Sequence, residues 1–310
     1  MASRHGAGHS VWKGRMAAEL FDNLFLSVGA MKAGTTWMHR VLELHPEIYF
    51  TPEKEIHYFA HAYVPGEAPL SPQGRLNRAR AHTAIDPQRS QLQGARARLL
   101  WAANYLADPI DDLWYKNLFL FRRKQTYCAD FSNLYALIEK PGWDRMNASV
   151  GRLRVMYTMR DPVKRLWSHA KFHSQFIGKQ DAVAGWTPKQ AEEFLRRDFM
   201  WKHAEYGQIV RRLRGALGED QLRLYFFEEL HKDQRAWLRD VETFLGIAHH
   251  DYPEARLSAR VNESFDAPMP DWFPGIFRKD VERIYRELDA EGLTPPQSWL
   301  SQFENSASVA

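Results

Sequence analysis

The feature that most constrains the fold is the run "LFLSVGAMKAGTTWMHRVLEL", residues 24–44. Leu24 to Val28 predicts a short buried strand. Thr35 to about Leu44 predicts a helix with Trp37, Val41 and Leu44 along its apolar side. A strand passing through a glycine-containing turn into a helix gathers free backbone N–H groups and the positive end of the helix dipole around one phosphate-sized anion. Gly29 and Gly34 keep the glycine spacing of a P-loop, G-x-x-x-x-G-K-[ST]. Thr35 and Thr36 follow Gly34, however, and the lysine, Lys32, lies inside the turn. The expected geometry is an anion cradle, and the lysine placement argues against the usual nucleotide triphosphatase.

The rest of the chain alternates between strand and helix patterns. Ile48-Tyr49-Phe50 is a short extended run between two prolines, and residues 95–106 and 112–121 are helix-like. "TYCADFSNLYALI" (126–138) reads as a strand turning into a helix near Asp130 or Ser132, and "LRVMYTM" (153–159) reads as a buried strand. The next run, 160–173, begins a helix with Asp161 as N-cap and Pro162 at the first helical position. Helices are expected at about 188–204, 205–217, 233–245 and 277–290, with a strand at 221–227. This alternation predicts an α/β fold, a single domain whose central, mostly parallel sheet is flanked by helices. Ligands of such sheets bind at the carboxyl ends of the strands. The segments 29–34, 130–132 and 160–162 all fall at such ends and are expected to converge. A length of 310 residues suits one large domain. About 1–20 reads as an N-terminal extension, and 64–94, rich in Gly and Pro without periodic apolar residues, as a surface insertion.

Composition narrows the partners. A net charge of +4 and a pI near 9.0 suit an anionic ligand and are far too weak to indicate nucleic acid. No apolar stretch reaches the length of a signal-peptide core or a membrane span. With one cysteine, Cys128, no intramolecular disulfide is possible, and a cytoplasmic location is expected. Cys128 itself reads as a small buried hydrophobe. His169 and His173 stand four apart on a helix, but no third ligand accompanies them, so they are expected on the helix surface and no metal is expected. Trp101, Trp114, Trp143 and Trp186 either line an apolar acceptor pocket or fill the core.

Two stretches carry the chemistry. In "YTMRDPVKRLWSHAKF", Arg160 emerges at a strand end and Ser168 follows eight residues on. Arg160 either pairs with a carboxylate beside a capped helix or, with Ser168, binds a phosphate monoester through its fork of N–H donors. In "PEKEIHYF", Glu55 and His57 are two apart, so an extended segment would put both side chains on one face. They are either proton acceptors for a substrate hydroxyl or part of a solvated charged turn, Glu53-Lys54-Glu55, with His57 at its edge.

"KAGTTW" after one strand and "RDPVKRLWS" after another resemble the sulfotransferases that use 3′-phosphoadenosine 5′-phosphosulfate (PAPS). The resemblance implies that Lys32, Ala33, Gly34, Thr35 and Thr36 hold the 5′-phosphosulfate, and that Arg160 and Ser168 hold the 3′-phosphate. It places Trp37 near the adenine, where a core position is the competing reading. "PEKEIHYF" resembles the "KE-x-HFF" stretch of heparan-type members, which implies Glu55 as catalytic base and His57 as its support. Cytosolic aryl and steroid members use a histidine further along. "ADFSNLY" resembles the pattern E-K-[ST]-P-x-Y, with Asp130, Ser132 and Tyr135 in register. Phe131 replaces that pattern's lysine and Asn133 its proline, leaving the charge at the transferring group to other residues or to Lys54.

Of Arg256 and Arg260, Arg260 is the preferred third ligand of the 3′-phosphate. Tyr225 or Phe226 is expected near the nucleoside. The acceptor implied is a hydroxyl of a small molecule or biosynthetic intermediate. A rival reading is a P-loop kinase of a small metabolite, which needs a lysine after Gly34 and a Walker-type aspartate that Asp130 supplies poorly. Another is a non-catalytic nucleotide-binding module, which the Phe131 departure favours.

Overall fold

The structure, a computed structural model, describes residues 20–178, 183–259, 261 and 265–304. Arg260 therefore lies outside the described residues, as does most of the N-terminal extension. Five described strands, β1 (Phe21–Ser27), β2 (Ile48–Phe50), β3 (Tyr127–Phe131), β4 (Val150–Met159) and β5 (Leu222–Phe226), form one sheet in the order β2-β3-β1-β4-β5. Every pairing is parallel. Such a sheet carries helices on both faces, and the side chains of β1 show it. Leu24, Leu26 and Val28 enter one apolar cluster while Phe25 enters the other, all four with no exposed surface.

The helices that matter to the site are α1 (Thr35–Leu42), α2 (Tyr58–Tyr63), α3 (Pro72–Thr83), α4 (Leu92–Leu106), α5 (Asp112–Asn117), α6 (Lys140–Ser149) and α7 (Pro162–Phe176). The cluster on one face contains Trp37, Met38, Val41 and Leu42 of α1 with Trp237, Leu238 and Val241 of the helix Gln234–Leu245. The other contains Tyr115, Trp143, Val163 and Leu166. Trp101, Trp114 and Trp143 are core residues, and Trp186 packs partly buried against the same core.

Local chemistry explains the boundaries. Asp161 caps α7 as expected, its Oδ1 accepting from the N–H groups of Val163 (2.9 Å) and Lys164 (3.2 Å), with Pro162 behind it. The stretch 64–94 departs from the expected excursion. It forms α3, capped by Ser71 and buried at Arg75 and Ala79, because Arg75 reaches the carbonyls of Tyr105 and Ala107 and the carboxylate of Asp108. A polar helix anchored by an arginine leaves no apolar periodicity to read. His169 also departs from expectation. It is buried, with Nδ1 3.4 Å from Arg165 Nη1, while His173 is partly exposed.

Gly34 is the hinge between the β1 turn and α1. Its φ is +82°, and a Cβ there would lie 2.6 Å from Cε2 of Phe227. An L-residue in the left-handed region costs about 1–2 kcal/mol before any clash. Gly34→Ala should therefore lower stability by at least about 1–2 kcal/mol, read as a shift of the urea midpoint. An unmoved midpoint would mean that the turn and the Phe227 ring yield freely.

Candidate active site

The sheet order brings the three expected strand ends together. Beyond β1, Val28 and Ala30 donate to the carbonyls of Met156 and Thr158 on β4, at 2.9 and 2.7 Å. On the other side, the Ser132 N–H donates to the Ser27 carbonyl at 3.0 Å. The carbonyl of Asn133 lies 3.6 Å from where a Gly29 Cβ would stand. The β1 turn is thus clasped between the ends of β3 and β4.

β1, the glycine-containing turn and α1 form the strand-turn-helix expected of an anion cradle. No side chain caps α1 at Gly34, and no acidic residue stands in its first turn. Arg160 donates from Nη1 to the Lys32 carbonyl at 2.9 Å, and its guanidinium lies 4.7 Å from the Phe227 ring centroid. Its own backbone is held by Tyr206, whose hydroxyl donates to the Arg160 carbonyl at 2.9 Å, and Glu228 accepts from the Asp161 N–H at 2.9 Å. Arg160 Nε is buried without a partner among the described residues. Lys32 Nζ sits 4.7 Å from the Phe172 ring centroid. Burial pulls the Lys32 ammonium down to about 8, and the positive charges of Arg160, Lys171 and Lys54 add to the effect. Ser168 is partly exposed two turns along α7.

Trp37 is buried, donating from its indole N–H to the Leu257 carbonyl at 3.1 Å and packing on Trp237 and His231. Of the aromatics after β5, neither Tyr225 nor Phe226 faces Arg160. Tyr225 bonds Asp240 at 2.6 Å and Phe226 packs edge-on to Trp299, whereas Phe227 lies against Gly34 and Arg160. The alternation of a strand stops at Phe226, where a helix begins, and this turns Phe227 toward the cradle.

Glu55 and His57 meet, though not through the extended backbone expected. Both have left-handed φ, +61° and +60°, and the kinked path brings His57 Nε2 to 3.3 Å from Glu55 Oε2. Lys54 Nζ contacts the other oxygen, Oε1. Asn133 donates its backbone N–H to Oε2 at 2.8 Å and its side-chain amide to Oε1 at 3.2 Å. Burial pushes the Glu55 carboxyl up, but Lys54, His57 and the Asn133 N–H outweigh it and hold the group below the ordinary glutamate value. Burial lowers His57 to about 4 against the pull of Glu55, so the imidazole is neutral at neutral pH and Glu55 carries the negative charge.

The kinked backbone is held from both sides. The Glu55 N–H donates to the Phe131 carbonyl at 3.1 Å, and the His57 N–H to Ser132 Oγ at 3.0 Å. From α3, Arg78 Nη1 donates to the carbonyls of Glu55 (2.7 Å) and Lys54 (3.1 Å). Ser132 in turn donates to Asp130, a buried carboxylate that also accepts from Tyr135 and Tyr115. Phe131 points away, into the aromatic group of Phe25, Phe50 and His39. Among the described residues, Lys54 is the lysine in ion-pair contact with Glu55.

Lys32, Glu55 and His57 are the described non-glycine residues with positive φ. Each costs on the order of 1–3 kcal/mol and persists only where its surroundings over-determine it. Sequence reasoning missed the part of Arg78, which no motif marks. It noted Asn133 only as a departure from a pattern. Among the described residues, no group of three or more His, Cys, Asp or Glu is arranged to hold a metal ion, and no helix is long and apolar enough to cross a membrane.

Residues 143–267 match the family described as sulfotransferase domain, a span that takes in β4, Arg160, Ser168 and Phe227. No curated protein sequence matches the chain. It is similar to the crystal structure of a sulfotransferase from Alicyclobacillus acidocaldarius, with a TM-score of 0.61 at 20% identity over 89% of this chain and 97% of that one. It is also similar to the sulfotransferase domain of the Synechococcus PCC 7002 olefin synthase, with a TM-score of 0.50 at 16% identity over 96% of this chain and 98% of that one. At these identities the likeness is one of fold, over nearly the whole chain. The match to the sulfotransferase domain is confined to residues 143–267, and the fold shared with these two sulfotransferase structures extends over nearly the whole chain.

Proposed function

We propose that the protein transfers the sulfuryl group of PAPS to a hydroxyl of a small-molecule or biosynthetic-intermediate acceptor, with Glu55 as general base. The observation that carries this reading is the cluster of cations gathered around Lys32 at the N-terminus of α1. Lys32, with Arg160, Lys171 and Lys54 as its charged neighbours, sits low at about 8. A buried Arg160 Nε lacks a partner, and α1 lacks a side-chain cap. Such a site calls for an anionic ligand. A carboxylate held in its ionised form stands at its edge.

When bound, PAPS supplies an activated sulfuryl group on a phosphate leaving group. Glu55 takes the proton of the attacking hydroxyl, and His57 orients the carboxylate through Nε2. Lys32 and the backbone N–H groups of Gly34 and Thr35 meet the charge that grows on the departing phosphate oxygen, the Ala33 N–H being bonded already to the Ala30 carbonyl at 3.1 Å. Arg160 and Ser168 hold the 3′-phosphate. Arg160 also ties that end of the site to the β1 turn through the Lys32 carbonyl.

Three measurements test the assignment. Arg160→Ala should weaken adenosine 3′,5′-bisphosphate by roughly tenfold to a hundredfold, the worth of a charge-assisted contact, and adenosine 5′-phosphate much less. Equal losses by calorimetry would confine Arg160 to holding the turn.

Lys32 sheds its charge as pH rises through about 8 in the free protein. Bisphosphate affinity should therefore weaken above that pH in wild type and stay flatter in Lys32→Arg, whose guanidinium remains charged. A wild-type affinity that is constant well above pH 8 would remove Lys32 from the anion site.

Glu55→Gln should leave bisphosphate affinity near wild type and cut turnover by roughly 10²–10⁴-fold, the usual worth of a positioned base. In wild type the acid limb of kcat should lie below the ordinary glutamate range, since the folded carboxyl is depressed and stays ionised until the pH falls beneath it. His57→Ala should cost less. Retained activity in Glu55→Gln with loss in His57→Ala would make His57 the base. Tight bisphosphate binding with no transfer to any hydroxyl would favour a nucleotide-binding module.

A further inference from the structure

We propose that Asn133 is a positioning residue for Glu55: its backbone N–H and its side-chain amide grip the two carboxylate oxygens and set the plane in which the base presents itself. The inference rests on the reading of Glu55 as the base, and its geometry stands apart from that reading. The two contacts, 2.8 Å to Oε2 and 3.2 Å to Oε1, come from one residue and span both oxygens. A fork of two parallel donors fixes a carboxylate's orientation as a single donor does not.

The other groups around Glu55 are less suited to that task. Lys54 approaches Oε1 from a flexible four-carbon stem. His57 approaches Oε2 from the same kinked segment as Glu55 itself, so its imidazole does not tie the carboxylate to the sheet. Asn133 opens the 3-10 turn Asn133–Leu137 directly beyond β3, and the neighbouring Ser132 N–H is bonded to the Ser27 carbonyl at the end of β1. Its donors are therefore fixed to the same strand ends that carry the anion cradle. Asn133 sets the carboxylate relative to Lys32, the geometry on which an in-line transfer depends.

The charged and titratable groups that act on the site from the packed elements include Lys54 and His57 on its own segment, Arg78 on α3, Asp130 at the end of β3, His39 on α1 and His203 ahead of the helix Tyr206–Arg214. Burial raises the Asp130 carboxyl, and the nearby charge of Glu55 adds to the rise. The Asn133 N–H is among the contacts that offset this crowding by favouring ionised Glu55.

The test compares Asn133→Ala, which keeps the N–H and removes the amide, with Asn133→Asp, which keeps the N–H and places an anion beside Glu55. The Glu55 carboxyl is titrated by carbon-13 NMR in the unliganded protein, with Glu55→Gln assigning the signal, and kcat and KM for PAPS are measured across pH. A donor to the ionised form lowers the carboxyl pKa, so its loss should move the Glu55 titration and the acid limb of kcat to higher pH. Asn133→Asp should move them further. In Asn133→Ala, kcat should fall roughly tenfold to a hundredfold, the worth of a hydrogen bond to a charged group, with KM for PAPS near wild type.

A Glu55 titration unchanged in both variants would overturn the proposal, whatever the activity. A shifted titration in a protein that sulfates no hydroxyl would uphold the placement of Glu55 by Asn133 and refute the proposed reaction.

Discussion

The site depends first on where β1 sits. It pairs in parallel with β3 on one side and β4 on the other, so the turns beyond all three strands leave the same edge of the sheet within hydrogen-bonding distance. The chain order reverses direction across β1, and in open α/β sheets a crevice forms at that point. The backbone bonds from Val28 and Ala30 to β4, and from Ser132 back to Ser27, continue the sheet past its last residues. They fix the cradle and the base to one rigid frame.

Within that frame the two halves of the site have opposite electrostatics. The cradle gathers cations, a helix start with no side-chain cap and a guanidinium with one nitrogen unpartnered among the described residues, and burial with the neighbouring positive charges depresses the Lys32 ammonium. The base side surrounds one carboxylate with donors until it stays ionised despite burial. Lys54 faces both, contacting Glu55 while its charge reaches Lys32. On the proposed function, an anionic donor held in the cradle would relieve the first half and leave the contacts of the second in place. This arrangement suits a transfer in which negative charge builds on the leaving phosphate while a proton leaves the acceptor. The left-handed backbone at Lys32, Glu55 and His57 shows where the fold holds residues against their own preference. Arg78, Ser132 and the Phe131 carbonyl are what hold two of them there.

Much of this was legible in the chain, for reasons that differ by residue. The anion turn announces itself through glycine spacing and a strand-to-helix switch, both of which are local. The N-cap at Asp161 was equally local, since a cap needs only its own next three residues. The pairing of Glu55 with His57 was anticipated on a mistaken ground. Period-two alternation would have placed both on one face, whereas two positive φ angles brought them together. α3 was not legible at all, because its anchor is Arg75 bonding distant carbonyls and not an apolar stripe.

The sequence by itself determined the order of the strands, the parallel sheet and the strand-turn-helix at Gly29–Gly34, because strand and helix periodicity and turn chemistry are written in neighbouring residues. Only the tertiary structure decided which side chains surround the base. Asn133 reaches Glu55 across 78 positions of chain, and Arg78 clamps the same segment from a helix that shows no pattern of its own. Contacts of that kind follow from how strand ends and helices pack in space, and no local periodicity encodes them.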